Sequence, residues 1–166
     1  MKFSLSREAL LKPLQLVIGV VERRQTLPIL SNVLFSLSDK NLSITGTDLE
    51  VEIVGLTAVS TSEEEGSVTI SARKTLDICR SLPEGATLKF SSSEGKASIQ
   101  SGKSKFMLST LPASEFPTVD EGEKSLEFSV SGKDLQKLIE STSFAMAQQD
   151  VSCLLYTSPS PRDLDL

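Results

Sequence analysis

The sequence predicts an α+β fold in which two helices cover one face of antiparallel strands, and three observations carry that expectation. A strand, a helix and three strands (residues 1–59) are followed by a second strand, helix and three strands (67–110), a βαβββ duplication. Apolar residues alternate through the strand segments and recur every three or four positions in the two helical ones. A longer repeat frames both. Phe3-Ser4-Leu5-Ser6, with Leu10 and Lys12 after it, returns at an offset of 125 as Phe128-Ser129-Val130-Ser131, Leu135 and Lys137.

Residues 1–6 alternate as a strand, and Ser6 stands where a helix N-cap belongs. The helix expected from Arg7 to about Glu22 carries Leu10, Leu14, Val17, Ile18 and Val21 on one stripe. Pro13 removes one backbone bond from it and is expected to bend it. Arg23 to Pro28 reads as a loop, followed by strands at about 32–38, 41–46 and 49–59 with a turn at Asp39-Lys40-Asn41. Ser62-Glu63-Glu64-Glu65-Gly66 reads as an acidic surface loop. A strand at 67–71 leads to a helix capped by Ser71 that buries Leu76, Cys79 and Leu82 and ends at Pro83-Glu84-Gly85. Strands follow at about 87–92, 96–101 and 104–110, and 111–124 reads as a linker with two prolines and several acids.

This arrangement predicts a first domain at 1–125 and the opening of a second, similar one at 126–152. From Cys153 the chain fits neither repeat. A proline-rich terminus is one reading of 153–166; the sharper one is that these residues are non-native, since they look like a reading frame of a transposase-type sequencing-library adaptor.

Composition excludes several classes of function. At 39% hydrophobic the 166-residue chain has the material for a packed core, and no run reaches the roughly 18 apolar residues of a membrane span. There is no histidine, and Cys79 and Cys153 have no partner at ligand spacing, so no cofactor or metal is expected. Two cysteines also make no disulfide framework, which favours a reduced, cytoplasmic setting. Asp48 with Glu50 could be drawn as an acid/base pair, but alternating acids on a strand are usually a solvated face. Ala97-Ser98-Ile99-Gln100-Ser101-Gly102-Lys103-Ser104 fits the loosest phosphate-loop pattern. That chemistry needs a helix N-terminus behind the loop, whereas Gly102-Lys103 reads as a hairpin between strands. A nucleotide hydrolase built on Lys103 and a free-standing interaction module are the competing functional classes.

Charge is more informative. The net charge is −5, yet residues 1–24 carry +3 and residues 71–80 carry +2, leaving −10 for the rest. Arg73, Asp77 and Arg80 share a helix face with Lys74 beside them, opposite Leu76 and Cys79, and Arg23 and Arg24 cluster past the first helix. Ordinary solvated helix charges would look the same. Aromatic residues for base stacking are scarce, so any nucleic acid should be held through duplex phosphates, without sequence preference and with strong salt dependence.

Longer stretches resemble one family, the bacterial DNA polymerase III beta subunits, or sliding clamps. They are Met1-Lys2-Phe3, Leu11-Lys12-Pro13-Leu14, Thr26-Leu27-Pro28-Ile29-Leu30 and Thr45-Gly46-Thr47-Asp48-Leu49-Glu50, then Ala72-Arg73-Lys74 and Asp77-Ile78-Cys79-Arg80. Leu82-Pro83-Glu84-Gly85, Ser109-Thr110-Leu111-Pro112, Phe144-Ala145-Met146-Ala147 and Gln149-Asp150-Val151 complete the set. The resemblance implies a DNA-clamp fold and a non-catalytic processivity factor: a homodimeric ring, three domains per protomer, encircling double-stranded DNA with helices lining the hole. It implies polymerase III subunits and a clamp loader as partners, and an outer surface that repels the DNA backbone. By the same resemblance DNA contacts fall on Arg24, Arg73 and Gln149, while Cys153 and Leu154 stand where the family has tyrosine-like residues. Phe106 and Leu108 match edge-strand residues that pack on the other protomer.

Overall fold

The structure, a computed structural model, describes residues 1–21, 27–118 and 128–145. The chain divides into two compact units, Met1–Asp120 and Glu121–Leu166.

The first unit opens with β1 (Lys2–Ser6) and α1 (Arg7–Val17), whose N-cap Ser6 accepts the Ala9 N–H at 3.2 Å. The helical turn tightens to 3-10 geometry at Ile18–Val20. The α-helix is therefore shorter than the periodicity suggests, because β-branched residues and Gly19 weaken the last turn. Then come β2 (Asn32–Ser38), β3 (Asn41–Thr47), β4 (Glu52–Ala58), β5 (Thr61–Glu64) and β6 (Gly66–Ser71). The second helix, α2 (Ala72–Ser81), leads to β7 (Thr87–Ser93), β8 (Lys96–Ser101) and β9 (Ser104–Leu111). Ser71 occupies the N-cap of α2 but its hydroxyl makes no capping bond; instead Thr75 Oγ1 donates to the Ser71 carbonyl at 2.7 Å.

The nine strands of the described residues join one antiparallel sheet in the order β4-β3-β2-β6-β9-β8-β7-β1-β5. The inner duplication is visible in how the chain leaves each meander. Val59 N–H bonds the Lys40 carbonyl and Ser60 N–H bonds the Ser4 carbonyl, which moves the chain from β3 across to β1. In the second half Thr110 N–H bonds the Gly95 carbonyl, and Thr110 and Leu111 cross from β8 to pair with Ile70 and Thr69 of β6. The two accepting carbonyls belong to matching two-residue hairpins, Asp39-Lys40 and Glu94-Gly95, all four residues at positive φ as a primed turn requires. Since β4 and β5 are separated only by Val59 and Ser60, the two ends of the strand order are tied together by the chain itself.

Ser62–Glu64, read above as part of a loop, belongs to edge strand β5. Cross-strand charge explains it: Lys2 Nζ meets Glu63 at 2.6 Å and the N-terminal amine meets Glu64 at 3.4 Å. The strand expected from residue 49 starts at Glu52, because Asp48 builds a turn before it. Its carboxylate accepts the N–H groups of Val51 (2.7 Å) and Glu50 (3.0 Å), and Leu49 takes φ +80. Those two backbone bonds, Val51 foremost, hold the Asp48 pKa below its usual value. Their stabilisation is complete above the ordinary carboxylate range and is lost as pH falls through the lowered folded value. Asp48→Ala is expected to lower the melting temperature at neutral pH, with the gap to wild type closing as pH falls through and below the ordinary carboxylate range. A gap that stays constant through the acid titration would mean the carboxylate bonds do not hold this turn.

The core lies between the sheet and the two helices. Leu10, Leu14 and Val17 of α1 and Ala72, Leu76 and Cys79 of α2 meet Phe35, Ile44, Ile70, Leu88 and Ile99 from the strands. Phe90 links the halves, stacked on Phe3 at 4.8 Å and tilted against Phe35 at 5.6 Å. Where β2, β6 and β9 converge, Asn32 Nδ2 donates to Thr69 Oγ1 (3.2 Å), which donates to the Leu111 carbonyl (2.9 Å). The stretch after β9 is less of a linker than its prolines suggest, since Ala113–Glu115 forms a 3-10 turn and Phe116 is buried.

In the second unit α3 (Gly132–Ser143) is capped by Ser131, which accepts the Asp134 N–H at 3.2 Å and buries none of its residues. Phe128–Ser131, expected to be a strand by analogy with β1, is not one; a strand exists only through a partner's hydrogen bonds.

Candidate nucleic-acid interface

The helices run antiparallel, fastened to each other by Arg7 at one end, with only a long contact from Arg73 at the other. At one end Arg7 Nε donates to the Cys79 carbonyl at 2.8 Å, capping the last turn of α2 with a cation, which its dipole favours. Next to it Glu8 accepts the Gly85 N–H at 3.0 Å and an Arg7 N–H at 3.1 Å; the Gly85 bond above all keeps its pKa low. At the other end Arg73 Nη2 reaches the Val21 carbonyl at 3.5 Å. Below, α1 rests on bare backbone. Pro13 sits over Gly55 of β4 and Val17 over Gly46 of β3, so the helix is seated closer than any side chain there would allow.

With Leu10, Leu14, Val17, Leu76 and Cys79 turned down, the helices expose Glu8, Lys12, Gln15 and Leu16 on α1 and Lys74, Asp77, Arg80 and Ser81 on α2. Among the described residues this is a mildly cationic surface without an aromatic side chain or a reactive thiol. Burial pushes the Cys79 thiol up to about 11, outweighing the influence of Arg7, so it stays protonated and inert at neutral pH.

The residues singled out from the sequence fall as follows. Arg73 is half-buried at the edge of this surface; among the described residues its Nε has no partner and its Nη2 only the long bond to Val21. Arg24 and Gln149 lie outside the described residues, as do Arg23, Cys153 and Leu154. Phe106 and Leu108 are on β9, half-buried and buried, both packed toward the core, while Met107 between them points outward. Among the described residues Ser104–Ser109 pairs with β8 on one side only, because β6 takes up β9 at Thr110 and Leu111. The backbone edge is thus open where the apolar side chains are not. Ser101-Gly102-Lys103-Ser104 is a two-residue hairpin with Gly102 at φ +54, and it runs into β9 rather than a helix. Among the described residues no helix starts at Lys103, so the loop lacks the helix N-terminus a phosphate cradle needs.

Sequence reasoning missed two features. Arg7 counts as one more surface cation in the sequence, but it ties the helices together. Lys89, Lys96 and Lys105 vanish into an acidic total, yet alternate spacing on three neighbouring strands gathers them on the outward face of the sheet. The outer surface of this unit is therefore not uniformly acidic.

Residues 1–120 match the family model described as the DNA polymerase III beta subunit, N-terminal domain. The chain is 57% identical over 151 residues to the beta sliding clamp of Pseudomonas aeruginosa and 48% identical over 151 residues to that of Escherichia coli, covering 91% of this chain in both cases. It spans 41% of the length of those relatives. Among solved structures it is similar to the DNA polymerase III subunit beta of P. aeruginosa (TM-score 0.84, 55% identity, covering 91% of this chain and 41% of that one). It is also similar to Caulobacter crescentus pol III beta (TM-score 0.86, 38% identity, 91% and 40%). Sequence and backbone agree that this chain belongs to the DNA polymerase III beta subunit family, the bacterial sliding clamps, and that residues 1–120 are its N-terminal domain.

Proposed function

We propose that this chain supplies the first module of a DNA-encircling processivity factor, with the helix pair α1/α2 facing the duplex. The observation that carries the reading is the character of that surface. Among the described residues it offers separated cations, Lys12, Lys74 and Arg80, along two packed helices, without aromatic groups to stack on bases or a thiol poised to react. Such a surface attracts phosphates without reading sequence, as a sliding tether requires. Arg24, Arg73 and Gln149 are the proposed contacts. Attachment is topological, so the protein needs no chemistry of its own, and polymerisation belongs to the polymerase III subunits it holds after a clamp loader has placed it. Ring closure would use the open edge of β9, with Phe106 and Leu108 firming the strand from behind as a partner protomer pairs with it. In this reading 1–125 is the first module, 126–152 opens the second, 153–166 is not native, and the protein works in the cytoplasm, where the chromosome is.

A chimera tests the reading. Residues 1–151 of this chain replace the corresponding part of the P. aeruginosa clamp, and the product is loaded onto circular duplex DNA. Retention on circles and rapid loss after linearisation is the expected result. Equal retention on both forms, or none on circles, would remove the topological mechanism.

A further inference from the structure

The outward face of β1, β7, β8 and β9 holds a trough with a serine floor and lysine walls. Its residues alternate with buried Leu88, Phe90, Ala97, Ile99 and Leu108, so they share the side of the sheet turned away from the helices. The register sets Lys89, Gln100 and Lys105 in one row across three strands, and Ser91, Ser98 and Met107 in the next. Two adjoining depressions of about 390 and 370 Å³ share Ser91, Ser98 and Gln100 as their lining. The depressions exist because the central side chains are small. Lys2, at one end, is paired with Glu63. Lys89, Lys96 and Lys105 have no ion pair among the described residues, and Glu94 is the one other acid lining the trough.

From this arrangement we infer that the trough is a docking surface for an acidic, extended segment of a partner protein. Strands about 4.8 Å apart put Lys89 and Lys105 roughly 10 Å from each other, and alternate side chains of an extended peptide recur every ~7 Å. Glutamates or aspartates on one side of such a segment can meet both lysines and Lys96, with serine hydroxyls and the Gln100 amide donating to their remaining oxygens. Nucleic acid fits less well. A duplex is convex and would leave the serine floor empty, and single strands are held by stacking on aromatic rings, whereas Phe3 and Phe90 here are buried.

The test is fluorescence anisotropy on the full 166-residue chain. The probes are a labelled peptide of alternating glutamate and threonine, its glutamine counterpart, and an oligothymidylate of equal charge. The glutamate peptide is expected to bind in a salt-sensitive way and the glutamine peptide not. Lys89→Glu with Lys105→Glu should weaken it by about tenfold, and a charge-matched pair on the helices, across the sheet from the trough, Lys12→Glu with Lys74→Glu, by less than about twofold. Ser98→Phe, which fills the floor at constant charge, should also weaken it. The inference is overturned by absence of binding, by equal loss in the two charge-reversed pairs, by an unaffected Ser98→Phe, or by tighter binding of the oligothymidylate through the same lysines.

Discussion

Replacing Gly55 by alanine is expected to destabilise the first unit by about 1–3 kcal/mol, and by valine to cost more. A Cβ at position 55 would stand 2.7 Å from Pro13 Cβ, 3.2 Å from its Cα and 3.3 Å from its carbonyl oxygen. None of these atoms belongs to a chain end that could swing aside. The proline ring is rigid, and α1 is held by Leu10 and Leu14, both buried in the core. Relief therefore requires lifting the whole helix from β4. The contrast is with Gly19: among the described residues nothing lies within 4 Å of a Cβ there, so Gly19→Ala should change stability by no more than about 0.5 kcal/mol. Urea denaturation of both variants reads the difference as a shift in midpoint. Wild-type stability in Gly55→Ala would mean that α1 is not seated directly on the strand backbone.

That contact also shows what the sequence could and could not disclose. Strand and helix positions follow from local alternation and periodicity, and β2, β6 and β8 start and stop close to where the pattern places them. The inner duplication was legible as an order of elements, but its proof, the paired handovers at Val59-Ser60 and Thr110-Leu111, is a matter of long-range hydrogen bonds. β5 was hidden because serines and glutamates have low strand propensity; the cations at Lys2 and the N-terminus make it a strand. Among site residues, helical spacing placed Arg73 correctly beside Lys74 and opposite Cys79, yet could not show its guanidinium turning back to Val21. Phe106 and Leu108 were legible as an apolar pair, whereas the side of the sheet they occupy depends on which neighbours β9 finds.

Glutamine at both position 24 and position 73 is expected to lower duplex affinity and to flatten its salt dependence together. Each lost phosphate contact should reduce the slope of log affinity against log salt by about 0.9. The geometry of Arg73 sharpens this expectation. Its Nε is buried without a partner and its Nη2 spends itself on one 3.5 Å bond, so little of the guanidinium's donor capacity is used within the described residues. With Nε buried, a phosphate at the rim of the helix pair would be met by the outer nitrogens of this half-exposed guanidinium. Because the protein gains little from that side chain, Arg73→Gln should leave the urea midpoint almost unchanged while the slope falls, which separates a binding role from a structural one. Lys40→Gln, on the Asp39-Lys40 hairpin, provides the comparison: an exposed cation whose loss should alter neither quantity by much. If the double variant keeps the wild-type slope, the helix pair does not face the duplex, and the cationic surface is only a solvated one.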